Sequence, residues 1–194
     1  MIDKKAFAVV YFCKQKAGGI DVRLFVAVDL SGEVKAALED IQGQIKCSGV
    51  HGRYTAKENL HITLAFIGEY GDAQAVLDAL EGVRFEPFGL GLDGMGSFGG
   101  LWWAGIRADG GLKGLAAQVR RQLAMANIPF DRKKFSPHIT LIRDPDKQVI
   151  PQVKIPDVKM TVEGFSLMLS ERGKRGMIYT ELGTVSAGKE EETI

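Results

Sequence analysis

The chain reads His61-Ile62-Thr63-Leu64 and, 77 residues later, His138-Ile139-Thr140-Leu141. Each tetrapeptide sits in an apolar run rich in β-formers, Leu60–Ile67 and Phe135–Ile142, and each run reads as a strand. On a strand, residues i and i+2 share a face. His61 with Thr63, and His138 with Thr140, therefore present an imidazole and a hydroxyl on one side. Ile62, Leu64, Ile139 and Leu141 point the other way, into a core. The chain has three histidines, and two of them occupy the same tetrapeptide. That repetition points to two halves of one site rather than to two unrelated structural histidines.

The flanking pattern repeats as well. Arg23–Leu30 predicts a strand with Leu24, Val26 and Val28 on one side. Ser31 then caps a helix in which Val34, Leu38, Ile41 and Ile45 recur at helical spacing, with Gly49 past its end. In the second half, Leu101–Ile106 predicts a strand, and Leu112, Leu115, Val119 and Leu123 mark a helix from Gly111 to Ala126. Each half runs strand, helix, motif strand. Two lobes related by a pseudo-twofold would produce this order, and its mixed character points to an α+β fold. A further helix is expected over Asp72–Leu80, a strand over Phe85–Leu92, a glycine-rich connection over Gly94–Gly100, and a closing strand pair over Val162–Leu169 and Met177–Leu182.

Composition sets the outer limits. Hydrophobic residues make up 45% of the 194 and charged residues 25%, the balance of a globular chain. A net charge of +1 excludes a protein that coats nucleic acid but leaves room for a small basic cleft. Cys13 and Cys47 are too few for a disulfide framework and wrongly spaced for zinc. Residues 22–185 are expected to form one domain, 1–21 a leader or added edge segment, and 186–194 a charged, disordered tail. The leader weakly imitates a secretory signal, with Lys4 and Lys5 before the apolar run Ala6–Cys13. Lys14 and Lys16 stand where a small-residue cleavage site would fall, and the run is too short to cross a membrane. A cytoplasmic protein is the expectation.

Two imidazoles across a gap match what phosphoester hydrolysis needs. One group takes a proton from the attacking water and another gives one to the leaving oxygen. Histidine titrates near neutrality and serves in either role. Threonine hydroxyls can donate to the non-bridging phosphate oxygens, where negative charge is held. Competing chemistries find less support. Zinc needs three or four ligands, and no His-Glu-x-x-His, cysteine pair or carboxylate cluster lies near either motif. His51, between Gly49, Gly52 and Arg53, reads as a surface loop residue. Ser136 has no Gly-x-Ser-x-Gly elbow around it. Gly94–Gly100 lacks the Lys-Ser/Thr of a phosphate-binding loop. No metal and no cofactor are expected.

These residues resemble a known family. Arg23-Leu24-Phe25-Val26-Ala27 looks like its first strand, and Glu58 to Leu64 followed by Phe66-Ile67-Gly68-Glu69 like its first motif. Trp103-Ala104-Gly105-Ile106 looks like its central strand, and Lys134 to Arg143 like its second motif. Ser170, Gly176 and Tyr179 fall where it has a closing serine, glycine and tyrosine. The family is that of the two-histidine phosphoesterases, within it the RNA 2′,3′-cyclic phosphodiesterases once called 2′-5′ RNA ligases. The resemblance spans Arg23 to Leu182. It implies a bilobal α+β fold, two antiparallel sheets with pseudo-twofold symmetry around a central cleft, and helices outside. It implies hydrolysis of a terminal 2′,3′-cyclic phosphate to a 2′-phosphate, with His61 as acid, His138 as base and no metal. Thr63 and Thr140 would hold the phosphate oxygens.

Four more candidates follow from the resemblance. Arg143 would meet the phosphate, although strict alternation turns it away from His138 unless the strand bulges or ends there. Arg23 would help in the same way. Phe66 and Tyr179 would border a stacked base, since aromatic faces bind unpaired bases. Arg132, Lys133 and Lys134 form a basic run, read as a solvated turn with an RNA-backbone contact as the alternative. Tyr54 stands near a position where relatives carry tryptophan, and Gly173 to Gly176 also departs from their pattern. The expected partner is an RNA with a cyclic phosphate end, or a cyclic nucleotide, acted on by a monomer away from membranes. Ligation of RNA halves, and a binding module without catalysis, are the alternatives.

Overall fold

β1 (Arg23–Asp29) opens the fold of the computed structural model, which describes residues 23–108, 110–174 and 176–188. The expected leader lies outside the described residues, as does the tail beyond Gly188. After β1 come α1 (Gly32–Cys47), β2 (Arg53–Tyr54), a 3-10 turn (Lys57–Asn59), β3 (His61–Gly68), α2 (Ala73–Leu80), β4 (Phe88–Phe98) and β5 (Leu101–Ala108). Then follow α3 (Gly111–Met125), β6 (His138–Arg143), β7 (Lys159–Val162), β8 (Gly164–Gly173) and β9 (Gly176–Ser186). Among the described residues no helix is long and apolar enough to cross a membrane.

The helices form where expected. Ser31 Oγ accepts from Val34 N at 3.3 Å, and Val34, Leu38, Ile41 and Ile45 are buried along one stripe of α1. Asp72 caps α2 through Ala75 N at 3.0 Å. Leu112, Leu115, Val119 and Leu123 form the buried stripe of α3.

Two antiparallel sheets result, in the orders β3-β1-β8-β9 and β2-β6-β5-β4-β7. Apart from β2, they match strand for strand: each motif strand, β3 or β6, lies next to the first strand of its own half, β1 or β5. The two motif strands also pack against each other, which joins the lobes. The helices cross over between lobes. α1, from the first half, packs against β6, and α3, from the second half, packs against β3.

Some elements differ from expectation. Gly94–Gly100 is not a loose connection: β4 runs through it to Phe98 and turns on Gly99 and Gly100, with φ of 54° and 74°. Positive φ at both central residues makes the two-residue hairpin turn that follows strand twist. Gly96 is extended there, paired with Trp103, and the indole lies on it; a Cβ would come within 2.2 Å of that ring. Phe135 to Pro137 is not strand, and β6 starts at His138. β2 and β7 are short edge strands without a strong alternating pattern.

Candidate active site

β3 and β6 carry the two motifs into one cleft of about 600 Å³, which His61, Thr63, His138 and Thr140 all line. Ile62, Leu64, Ile139 and Leu141 are fully buried on the opposite side, as alternation requires. Each histidine is fixed in the same way. His61 Nδ1 lies 2.7 Å from the carbonyl of Asn59, and His138 Nδ1 lies 2.8 Å from that of Ser136. A carbonyl only accepts, so Nδ1 carries a proton in both rings, and Nε2 is the nitrogen not tied to the backbone. His61 Nε2 is also 3.0 Å from Thr63 Oγ1.

Aromatic rings hold the imidazoles from the side. Phe25 and Tyr179 lie 4.9 and 5.3 Å from His61, centroid to centroid, with Tyr179 edge-on. Phe98 and Trp103 lie 5.0 and 6.2 Å from His138, both edge-on. Burial pushes the His61 pKa below the ordinary imidazole value, and the charges of Arg143 and His138 act in the same direction. The Asn59 carbonyl and Asp29 oppose this in part. Burial also raises the Tyr179 phenol, so that group stays neutral, while Arg143 pulls the other way.

Arg143 lines the cleft with His138 and Thr140, against strict alternation. The cause is a β-bulge. Trp102 pairs with Ile142 and Trp103 with Thr140, so Leu141 is an extra residue with no partner on β5. From Ile142 onward the facing is reversed, and Arg143 returns to the histidine side. β3 does the same at the same motif position. Ala27 pairs with Thr63 and Val26 with Ala65, which leaves Leu64 unpaired and turns Phe66 into the cleft. Phe66 and Arg143 are thus equivalent residues, each five past its histidine.

Of the remaining candidates, Tyr179 lines the cleft and Arg23 does not. Arg23 is exposed at the outer end of β1, paired with Ser170. The basic run Arg132–Lys134 is exposed, and Lys133 pairs with Asp131 at 3.4 Å. His51 is exposed, as read, and its backbone is tied to Asp146. Among the described residues no group of three or more His, Cys, Asp or Glu side chains is placed to hold a metal ion.

Sequence reasoning missed much of the rim. Tyr54, Asn59, Arg172, Met177 and Ile178 also line the cleft. Tyr54 reaches it on β2, with its hydroxyl on Val50 O at 2.9 Å. Asn59 Nδ2 donates to Met177 O at 2.9 Å and ties the first motif to the β8–β9 hairpin. That hairpin's Ile178 is exposed by 55%, and Met177 beside it is exposed as well.

Comparison with known proteins gives one consistent result. The family described as "LigT like Phosphoesterase" matches residues 28–103 and 106–179. An RNA 2′,3′-cyclic phosphodiesterase of Archaeoglobus fulgidus is 32% identical over 179 residues, covering 83% of this chain and 98% of that one. One from Thermus thermophilus is 35% identical over 180 residues, covering 83% of this chain and 88% of that one. The crystal structure of E. coli LigT with 3′-AMP superposes with a TM-score of 0.74 at 30% identity, covering 88% of this chain and all of that one.

Proposed function

The chain belongs to the LigT-like phosphoesterase family, and we propose that it hydrolyses a terminal 2′,3′-cyclic phosphate of RNA to a 2′-phosphate by metal-independent histidine acid–base catalysis. The observation that carries this reading is the matched pair of imidazoles. Both have Nδ1–H locked on the carbonyl two residues back, and both line one cleft with their Nε2 atoms free of the backbone. Relatives at 32% and 35% identity are RNA 2′,3′-cyclic phosphodiesterases, which sets the substrate class.

In the proposed step, a water oxygen bonds to phosphorus and the bond from phosphorus to the 3′-oxygen breaks. His138 Nε2 takes the proton from water, and His61 Nε2 gives one to the 3′-oxygen. Thr63, Thr140 and Arg143 hold the non-bridging oxygens, and the guanidinium offsets the phosphate charge. Phe66 and Tyr179 flank the base or ribose. Arg23 has no place in this scheme, because it lies off the cleft lining. Both half-sites come from one chain, so a monomer suffices. The proposed reaction is cytoplasmic, in keeping with an RNA substrate.

Exchanged roles for the histidines are the second reading. Burial lowers the His61 pKa and so favours its neutral form, and a neutral imidazole is a proton acceptor. A substrate with sulfur in place of the 3′-oxygen separates the two. Its leaving group needs no proton, so it restores the variant that lacks the acid and not the one that lacks the base.

The primary test is hydrolysis of a short RNA ending in a 2′,3′-cyclic phosphate, in EDTA, with the product position identified. A 2′-phosphate is expected, and His61→Ala or His138→Ala should each cost at least about a hundredfold in rate. No turnover on RNA or cyclic mononucleotides overturns the reading in favour of binding alone.

A further inference from the structure

We propose that Gln42 and Arg120 are a matched pair of positioning residues, each clamping the bulge in the motif strand of the opposite half and so setting where Arg143 and Phe66 point. Gln42 sits on α1, 19 residues before His61, and Arg120 on α3, 18 before His138. Neither helix side chain serves its own motif. Gln42 Nε2 donates to Leu141 O and to Thr55 O, both at 2.9 Å. Arg120 Nε donates to Leu64 O at 3.1 Å, and its Nη1 donates to Lys133 O at 2.8 Å.

The two clamps share one plan. Each holds the carbonyl of the unpaired leucine that makes the bulge, Leu141 or Leu64. Each also holds a carbonyl of the segment lapped on that strand's edge. On β6 that segment is β2 and Thr55, whose N donates to Leu141 O. On β3 it is the stretch around Asp131, whose N donates to Phe66 O. In each lobe the clamp bridges two carbonyl oxygens, and only a side chain with two N–H bonds to give can satisfy both.

Energetics indicates a purpose beyond packing. Gln42 is only 4% exposed, on the stripe of α1 otherwise built from Val34, Leu38, Ile41 and Ile45. An amide placed there is unfavourable unless both of its hydrogens are bonded, and here both are. An apolar residue would suit the stripe and leave the Leu141 carbonyl to Thr55 N alone. A bulge that slips by one residue reverses every side chain beyond it. Loss of the Gln42 clamp therefore frees Arg143, and loss of the Arg120 clamp frees Phe66.

The test compares Gln42→Leu and Arg120→Met, each alone and combined with Arg143→Ala or Phe66→Ala. Melting curves first confirm that each variant is folded. Backbone amide spectra are then read for where the shifts fall. For Gln42→Leu they should centre on residues 138–143, and for Arg120→Met on residues 61–68. Shifts confined to the variant's own helix and its own half's strands would overturn the proposal. The kinetic arm rests on the roles proposed above for Arg143 and Phe66. Gln42→Leu should weaken inhibition by inorganic phosphate about tenfold, as misplacement of a binding group does. It should add under about twofold to Arg143→Ala, because a group already removed cannot be misplaced. Arg120→Met should leave phosphate inhibition unchanged and be non-additive with Phe66→Ala in KM for a cyclic nucleotide. Effects that multiply overturn the clamp. If Arg143→Ala itself leaves phosphate inhibition unchanged, the phosphate role of Arg143 fails, and the amide shifts alone decide the clamp.

Discussion

Replacing Gly96 by alanine should damage the second half-site through packing alone. Gly96 lies on β4 opposite Trp103 of β5, and a Cβ there would meet three indole carbons at 2.2, 2.4 and 2.7 Å. Ordinary contact needs about 3.5 Å or more, so the ring must retreat by roughly 1 Å. The ring also faces Phe98 at 5.6 Å and His138 at 6.2 Å, centroid to centroid. Overpacking of this kind costs about 1–3 kcal/mol. For a domain of this size that lowers Tm by roughly 2–12 °C. The displacement also reaches His138, whose Nε2 faces the reacting water in the proposed step, and a shift near 1 Å there costs on the order of a hundredfold in kcat. Gly89→Ala is the matched control, on the same strand with open space where its Cβ would go. It should leave Tm and kcat close to the parent. Calorimetry and hydrolysis of a 2′,3′-cyclic nucleotide read both quantities. If Gly96→Ala keeps the parent's Tm and kcat, the indole does not brace His138 and the packing account is wrong.

Other outcomes follow from the same geometry. Arg143→Ala should weaken inorganic phosphate as an inhibitor by roughly tenfold to a hundredfold, the range of a charge-assisted hydrogen bond at about 1.5–3 kcal/mol. It should also raise the His61 pKa, since Arg143 is among the charges that lower it; a fall in the NMR titration midpoint would contradict this. The lowered His61 pKa makes the folded state bind fewer protons than the unfolded one just below about pH 6.5, so stability there falls as pH falls. His61→Gln should flatten that part of the stability curve in denaturant titrations, and an unchanged slope would assign it elsewhere. Tyr179 braces His61 with its ring edge, so Tyr179→Phe should keep kcat within about threefold while Tyr179→Ala loses more, the edge contact being worth about 0.5–1.5 kcal/mol. Equal losses in the two variants would assign the role to the hydroxyl.

Much of this was legible in the sequence because the physics there is local. The stripes of α1 and α3, the Ser31 cap and the core-facing Ile62 and Ile139 follow from period and capping alone. The direction of Arg143 was not legible by alternation, because a bulge adds a residue that the period does not count. A trace of it exists in both halves. Leu64-Ala65 and Leu141-Ile142 are consecutive buried pairs within strands that otherwise alternate. Glycines hid the end of β4, since low β-propensity reads as a loop; the pairing with β5 that makes it a strand, and the indole that fills the place of a Cβ at Gly96, are contacts that propensity does not count. The rim residues Tyr54, Arg172 and Ile178 reach the cleft only through strand order and hairpin placement, which no local pattern encodes.

The repeated scaffold also explains how a symmetric fold performs an asymmetric reaction. Both halves supply His, then Thr, then a bulged Leu, then a residue five past the histidine that the bulge turns inward. The first four positions of each motif are the same, and acid–base chemistry needs two imidazoles, one to take a proton and one to give one. The fifth residue beyond the histidine differs: Phe66 in one lobe and Arg143 in the other. An aromatic face suits a base or ribose, and a guanidinium suits a phosphate. On the proposed mechanism, identity at the first positions supplies the catalytic pair, and the difference at the last would orient the substrate between the lobes. Exchanging the two side chains, Phe66→Arg with Arg143→Phe, should therefore keep both histidines in place yet present the substrate reversed. In a test with the 3′-sulfur leaving group, the histidine variant that it restores in the parent background should no longer be the one restored in the exchanged background. If the same variant is restored in both, orientation is set elsewhere on the rim, and the bulged positions serve only affinity.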